Sequence, residues 1–175
     1  MVNSGRHPEL DQGDCPFCAI VHGLDQSARI VYRDDTVVAF LPTDPATLGH
    51  TLVVPREHIP DIWALDESTA RAIGVASLSI ADAIRNALHP EGLNVIQSNG
   101  EAATQTVPHL HVHLVPRWSN DTVGPIWPES TSFSEHDKQQ TLDALVGALK
   151  SGSSKDEDGD QQDSRGSHGP IEAEH

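Results

Sequence analysis

At 175 residues, with 26 acidic side chains against 11 basic ones and a formal net charge of −15, the chain has the length of one domain with a core of its own. That balance works against non-specific binding to nucleic acid, which needs clustered Lys and Arg, but it does not exclude a small phosphorylated ligand held by backbone N–H groups. No apolar run reaches membrane-spanning length and the first residues lack a signal-peptide core, so a cytoplasmic protein with no nucleic-acid or membrane partner is expected.

In chain order, residues 1–13 are polar and unpatterned, and are expected to be disordered. Cys15 and Cys18 follow, the only two cysteines of the chain. A reducing compartment disfavours a structural disulfide between them. Their spacing leaves three readings open: a redox pair, two buried thiols, or half of a metal site. Residues 29–33 and 36–41 read as two strands around a tight Asp34-Asp35 turn. Residues 51–54, rich in β-branched side chains, make a third strand.

The one long helix comes next. Asp66 is its N-cap, Glu67 lies at the positive end of the dipole, and Ile73, Ile80, Ile84 and Leu88 recur on one apolar stripe. Pro90 and Gly92 end it. Residues 93–97 and 109–115 are the fourth and fifth strands. A second helix is expected over 135–150, capped by Ser134 with Asp137 three positions on, with Leu142, Leu145, Val146 and Leu149 on one face. Strands joined by a hairpin and interrupted by a single helix indicate the α+β class, here with an antiparallel sheet of about five strands.

From 151 to 175 apolar residues almost vanish, and seven acidic side chains face only Lys155 and Arg165. Such a segment cannot bury enough surface to offset its ordering entropy. The folded part is then 14–150, followed by a disordered acidic tail that is either solubilising or an interaction arm.

The fifth strand carries the chemistry. His109, His111 and His113 stand at spacing two, so all three point to one face while Leu110, Val112 and Leu114 point to the other. A row of imidazoles backed by an apolar row is a site mounted on a core. The preceding loop, residues 99–107, is short-chained and polar. Gly100, Ala102 and Ala103 let backbone approach a ligand, and Thr104, Gln105 and Thr106 supply hydroxyl and amide groups that suit a phosphate. A neutral imidazole is a nucleophile toward phosphorus and a leaving group afterwards, and its reference pKa of about 6.5 keeps that form populated at neutral pH.

His-x-His-x-His followed by apolar residues resembles the signature of the histidine triad (HIT) superfamily of nucleotide hydrolases and transferases. Three further blocks share the likeness. Cys15-Pro16-Phe17-Cys18-Ala19-Ile20 is similar to the opening of bacterial members. Gly49-His50-Thr51-Leu52-Val53-Val54-Pro55-Arg56-Glu57-His58 resembles their second block, and Gly92-Leu93-Asn94-Val95-Ile96-Gln97-Ser98-Asn99-Gly100 their third, leading into Gln105-Thr106-Val107.

The resemblance implies a HIT-like fold, a homodimer, and cleavage at the α-phosphate of phosphoramidates or dinucleoside polyphosphates through a nucleotidyl-histidine intermediate. It assigns the nucleophile to His111 and the phosphate oxygens to His113, Gln105 and Thr106. His109 would orient its neighbours and His50 would support the triad from behind. In bacterial members with this opening a structural zinc is held by the two cysteines, the His ending the second block and the first triad His. Those positions are Cys15, Cys18, His58 and His109 here, a closed tetrahedral set.

The chain departs from the family pattern at three positions. Pro42 stands where many members carry Asp or Asn facing the ribose, and Asp44 is the nearest substitute. Ser98, beside Asn99, replaces an amide that often contacts phosphate, and Thr104 replaces a frequent Gly. These departures keep open an alternative, a nucleotide-binding regulatory protein with little or no catalysis. After the triad, Pro116-Arg117-Trp118 resembles branches that cleave or phosphorolyse dinucleoside polyphosphates. Arg117 either pairs with a distal phosphate or closes the strand, and Trp127 either stacks on a base or covers the core.

Overall fold

The computed structural model describes residues 14–153. Residues 1–13 and 154–175, for which disorder is expected, lie outside the described residues. The chain divides into two compact units between Gly124 and Pro125.

The first unit runs through helix α1 (Pro16–Val21), strands β1 (Arg29–Arg33), β2 (Val37–Leu41) and β3 (Thr51–Pro55), helix α2 (Glu67–Leu88), and strands β4 (Gly92–Gln97) and β5 (Val112–Arg117). The strands form one sheet in the order β1-β2-β3-β5-β4, antiparallel at every step. This is the expected α+β arrangement of five strands. Asp34 closes the first hairpin: its Oδ1 accepts the N–H groups of Thr36 at 2.8 Å and Val37 at 2.7 Å, while the Tyr32 hydroxyl donates to Oδ2 at 2.8 Å.

Both faces of the sheet are covered, and period two decides what covers each. Val37, Ala39, Val53, Leu110 and Leu114 pack with Ile73, Ala76, Ile80 and Ile84 of α2. Val38, Phe40, Leu52 and Val54 face the other way and pack with Val21, Phe17 and Ile20 of α1. Asp66 caps α2 as expected, its Oδ1 accepting the Thr69 N–H at 3.0 Å. Hydrogen bonds from Ser68 and Thr69 hold its carboxyl well below the usual carboxylate range. The apolar stripe is shorter than the spacing suggests. Leu88, at the end of α2, is 40% exposed and lies outside the buried core.

In the second unit, α3 (Glu135–Ser153) carries the expected reciprocal cap: the Ser134 hydroxyl donates to Asp137 Oδ2 at 2.6 Å and accepts the Asp137 N–H at 3.2 Å. The helix runs three residues past its expected end at 150, into the segment read as a disordered tail. Its apolar face (Leu142, Leu145, Val146, Leu149) is exposed.

Gly49, immediately before His50, has φ +88°, a left-handed conformation that L side chains avoid. A Cβ there would overlap Leu88 Cδ1 and lie 3.3 Å from Pro116 Cγ. Gly49→Ala is therefore expected to destabilise the protein by about 1–3 kcal/mol, read as a lower urea midpoint at unchanged m-value.

Candidate functional site

Regular pairing of β5 begins only at Val112, so His109 and His111 precede the ladder and His113 alone of the three lies within it. This corrects the expected strand over 109–115. The reason is local: the Leu110 N–H bonds to the Ile59 carbonyl at 2.6 Å, which ties this stretch to the segment after β3 rather than to β3 itself. The alternation survives the irregular backbone. Leu110 and Leu114 are buried against α2, whereas His111 and His113 stack edge to face at 4.9 Å on the α1 side.

His109 is fully buried. Its Nε2–H donates to the Pro55 carbonyl at 2.9 Å, since a carbonyl can only accept. That leaves the Nδ1 lone pair facing Cys15 Sγ at 3.4 Å and Cys18 Sγ at 3.6 Å, with His58 Nδ1 3.3 Å from Cys18 Sγ. A tetrahedron with zinc bond lengths has edges of about 3.5 Å. The four ligand atoms all lie within 4.8 Å of one another, so this donor set fits a zinc-like ion. Burial, together with the neighbouring Cys15 thiol, pushes the Cys18 thiol up to about 11. A bound dication reverses that preference and stabilises the thiolate.

Hydrogen bonding also sets the tautomers of the other rings. His111 Nδ1–H donates to the His109 carbonyl at 2.7 Å, so Nε2 carries the free lone pair. The Ala46 N–H donates to His50 Nδ1 at 3.1 Å, which leaves the hydrogen of His50 on Nε2. That hydrogen is donated to His113 Nδ1 at 2.9 Å, and the His113 hydrogen therefore sits on its own Nε2. The chain Ala46–His50–His113 ends in an N–H donor beside a ring whose free atom is a lone pair. Burial lowers the pKa of His50 and His111, and it carries His113 down to about 4 with help from the nearby His111 and His50. Burial thus favours the neutral form of all three rings.

Phe17, which the sequence reading quotes only as part of a block, sits between the two cysteines and meets three rings edge to face. Its centroid is 5.2 Å from His111, 5.9 Å from His109 and 5.4 Å from Phe40. It also lines a cavity of about 540 Å³ with Phe40, Pro42, Thr43, Asp44 and Leu52. An aromatic residue between two ligand-spaced cysteines was the available signal. Asp44 thus lines the same cavity as Pro42.

Other expected contact residues are engaged elsewhere. Gln105 accepts the Gly100 N–H at 2.8 Å and donates to the Pro60 and Val107 carbonyls at 2.7 and 3.0 Å. Both amide hydrogens are used, so it braces the loop instead of offering a free donor to phosphate. Asn99 accepts the Ile62 N–H at 2.8 Å and pairs with Gln97. Thr106 is exposed and lines a cavity of about 340 Å³ with Glu101, Gln105 and Pro108; Ser98, half-buried, follows the end of β4. Thr104 has φ 67°, in the left-handed region, which explains why glycine suits that position.

Arg117 closes the strand. It pairs with Asp121 at 2.7 and 3.0 Å and donates to Asn94 Oδ1 at 2.6 Å and the Val123 carbonyl at 2.8 Å. It stands four residues beyond His113, about 13 Å along the strand. Four of its five N–H groups are engaged within the fold, which favours the strand-closing role of the two expected for it. Trp127 belongs to the second unit and is exposed.

Among known families, the one described as the HIT domain matches residues 24–120. The protein hit of Bacillus subtilis is 37% identical over 140 residues, covering 79% of this chain and 96% of that protein. An adenylylsulfatase of Arabidopsis thaliana is 34% identical over 61% of this chain and 55% of its own length. An adenosine 5′-monophosphoramidase of Schizosaccharomyces pombe is 33% identical over 65% and 83%. Among solved structures, a HIT family member from Bacillus subtilis superposes with a TM-score of 0.70 at 36% identity, covering 77% of this chain and 96% of that one. A zinc-bound histidine triad protein from Mycobacterium smegmatis gives 0.60 at 34% identity, covering 81% and 99%.

The lowered imidazole pKa values fix a pH dependence of stability. An unfolded imidazole titrates near 6.5, above the folded values, so between about 6.5 and 4 the unfolded chain binds more protons and acid destabilises the fold. The melting temperature is expected to be level above pH 6.5 and to fall progressively toward pH 4. Loss of a bound metal acts in the same direction. His113 is not a metal donor, so a shallower fall in His113→Asn isolates the imidazole contribution.

Proposed function

The chain belongs to the HIT domain family, and we propose that it is a nucleotide hydrolase or transferase acting at the α-phosphate of nucleoside phosphate derivatives. The observation that carries this reading is the tautomer of His111: its Nδ1–H is held by the His109 carbonyl, which leaves Nε2 as a free lone pair in a buried, neutral ring. The names of the Arabidopsis and Schizosaccharomyces relatives support the substrate class, since both act on adenosine 5′-phosphate derivatives.

In the proposed reaction His111 Nε2 attacks the α-phosphorus. The bond from phosphorus to the departing amine or phosphate breaks, its electron pair leaving with that group, which takes any proton it needs from solvent. The His113 Nε2–H, held outward by His50, donates a hydrogen bond to a phosphate oxygen as charge builds there. Thr106 and backbone N–H groups of the 99–107 loop are the further donors. Water then attacks phosphorus and loses its proton to solvent. The P–N bond breaks, the nucleoside monophosphate leaves and neutral His111 returns. The cavity lined by Phe17, Phe40, Pro42 and Asp44 has the volume of a small-ligand site and takes the nucleoside, with Asp44 as the acceptor for ribose hydroxyls. Zinc at Cys15, Cys18, His58 and His109 would be structural, because four protein donors leave no place for water.

A panel of adenosine phosphoramidates, dinucleoside polyphosphates and nucleotide sugars tests this reading. Turnover of at least one class is expected, with His111→Ala slower by about 10³-fold or more and a nucleoside monophosphate increment on His111 when a slow substrate is trapped. An alanine protein that is folded and equally active refutes it.

The proposed assembly is a homodimer. β4 is an edge strand, and α2 packs over β2, β3 and β5, leaving Val95 on β4 60% exposed. A second copy would cover that apolar position and pair the open edge. Light scattering should show a dimer for the parent chain and a shift toward monomer for Val95→Arg; a parent that is monomeric at tens of micromolar refutes the assembly.

A further inference from the structure

Helix α1 has six residues and no side-chain cap, so it has little stability of its own. Its placement is set by packing on the sheet and by the two cysteines at its start. Phe17 lies between those cysteines, and its ring touches four different things. It stands edge to face on His109, one of the four metal-site residues, on His111, and on Phe40, and it forms part of the wall of the 540 Å³ cavity. Among the described residues Phe17 alone makes a ring contact with both His109 and His111; His109 itself reaches the His111 ring through its backbone carbonyl. A ring held at 82° to His111 limits how far that imidazole can tilt away from the direction in which its Nδ1–H meets the His109 carbonyl.

We propose that Phe17 is a positioning residue that couples the metal site to both the His111 ring and the nucleoside cavity. Ligation of Cys15 and Cys18 fixes the first turn of α1, and that turn fixes Phe17. The ring in turn fixes the tilt of His111 and one wall of the cavity. The metal then acts on nucleotide binding without touching the nucleotide. The inference rests on the reading of His111 and the cavity given above, but it can fail independently of it.

The test compares the full chain with Phe17→Leu and Phe17→Ala, each with zinc and after zinc removal, using adenosine 5′-monophosphate as the binding probe. Stripping the parent should weaken binding by about tenfold, the scale of a few aromatic contacts. Loaded Phe17→Ala should bind as weakly as the stripped parent and lose nothing further on stripping, and Phe17→Leu should fall between them. An equal loss on stripping in the parent and in Phe17→Ala overturns the coupling, as does a parent whose affinity ignores zinc.

Where the stripped protein does not stay folded, loaded enzyme decides. Phe17→Ala should lower kcat as well as raise KM for an adenosine phosphoramidate, since the nucleophile loses support. A raised KM at unchanged kcat reduces Phe17 to a cavity wall, and a lower melting temperature with neither change reduces it to packing. Absence of turnover with every substrate would refute the proposed reaction, while the binding comparison would still decide the coupling.

Discussion

One residue, His109, joins the parts of the site through three separate groups. Its Nε2–H is spent on the Pro55 carbonyl at the end of β3, its Nδ1 faces both cysteine sulfurs, and its own carbonyl takes the Nδ1–H of His111. Each of these fixes something different: the ring in the sheet, the α1 segment against the ring, and the tautomer of the next histidine. A buried imidazole with all of its polar groups assigned is costly to displace, because any rotation leaves an unpaired donor or acceptor in a dry interior. The Cys15, Cys18, His58 and His109 cluster and the proposed nucleophile His111 are therefore parts of one hydrogen-bonded unit.

The sheet makes that unit possible by giving its two faces to different work. Helix α2 takes the face that carries Val37, Ala39, Val53, Leu110 and Leu114, which are buried and apolar. On the other face Val38, Phe40, Leu52 and Val54 pack with the short α1, and the histidine rings stand on that side while the strand beneath them stays anchored. His113 lies opposite Leu52 and Ile96 in β5, an interior strand paired on both sides, which makes a rigid mount for the outward donor of the His50 relay. Rings mounted this way keep their geometry better than rings on a free loop, and catalysis of the proposed kind needs such precision.

Much of this was legible in the sequence, and the exceptions have physical causes. The first hairpin, the helix caps, the α+β class and the grouping of the three histidines on one face follow from local chemistry and from period two. The four metal donors came from family resemblance, since only the Cys-x-x-Cys spacing is local. The positions whose partners differ from what their local pattern suggests are those where a tertiary contact outcompetes an intrinsic tendency. Gln105 looks like a phosphate donor until Pro60, 45 residues away, takes its amide. Arg117 looks like a phosphate clamp until Asp121 and Asn94 claim its guanidinium. The onset of β5 is delayed because Ile59 captures the Leu110 N–H first. Phe17 stands out only in the structure, because its three ring partners, Phe40, His109 and His111, are distant in sequence.

The electrostatic character of the site follows from burial rather than from the charge of the chain. A cationic imidazole would attract an anionic nucleotide more strongly, but it has no lone pair with which to attack. Burial lowers the pKa of His111 and His113 and so favours the form that can react over the form that would bind. In a protein of net charge −15, that choice leaves little long-range attraction for a phosphate. Recognition must then come at short range, from N–H groups aimed at the phosphate and from apolar walls around the nucleoside. Fixed donors of this kind do not reorganise as charge develops on phosphorus, so in the proposed reaction what is given up in ground-state attraction is recovered where it lowers the barrier.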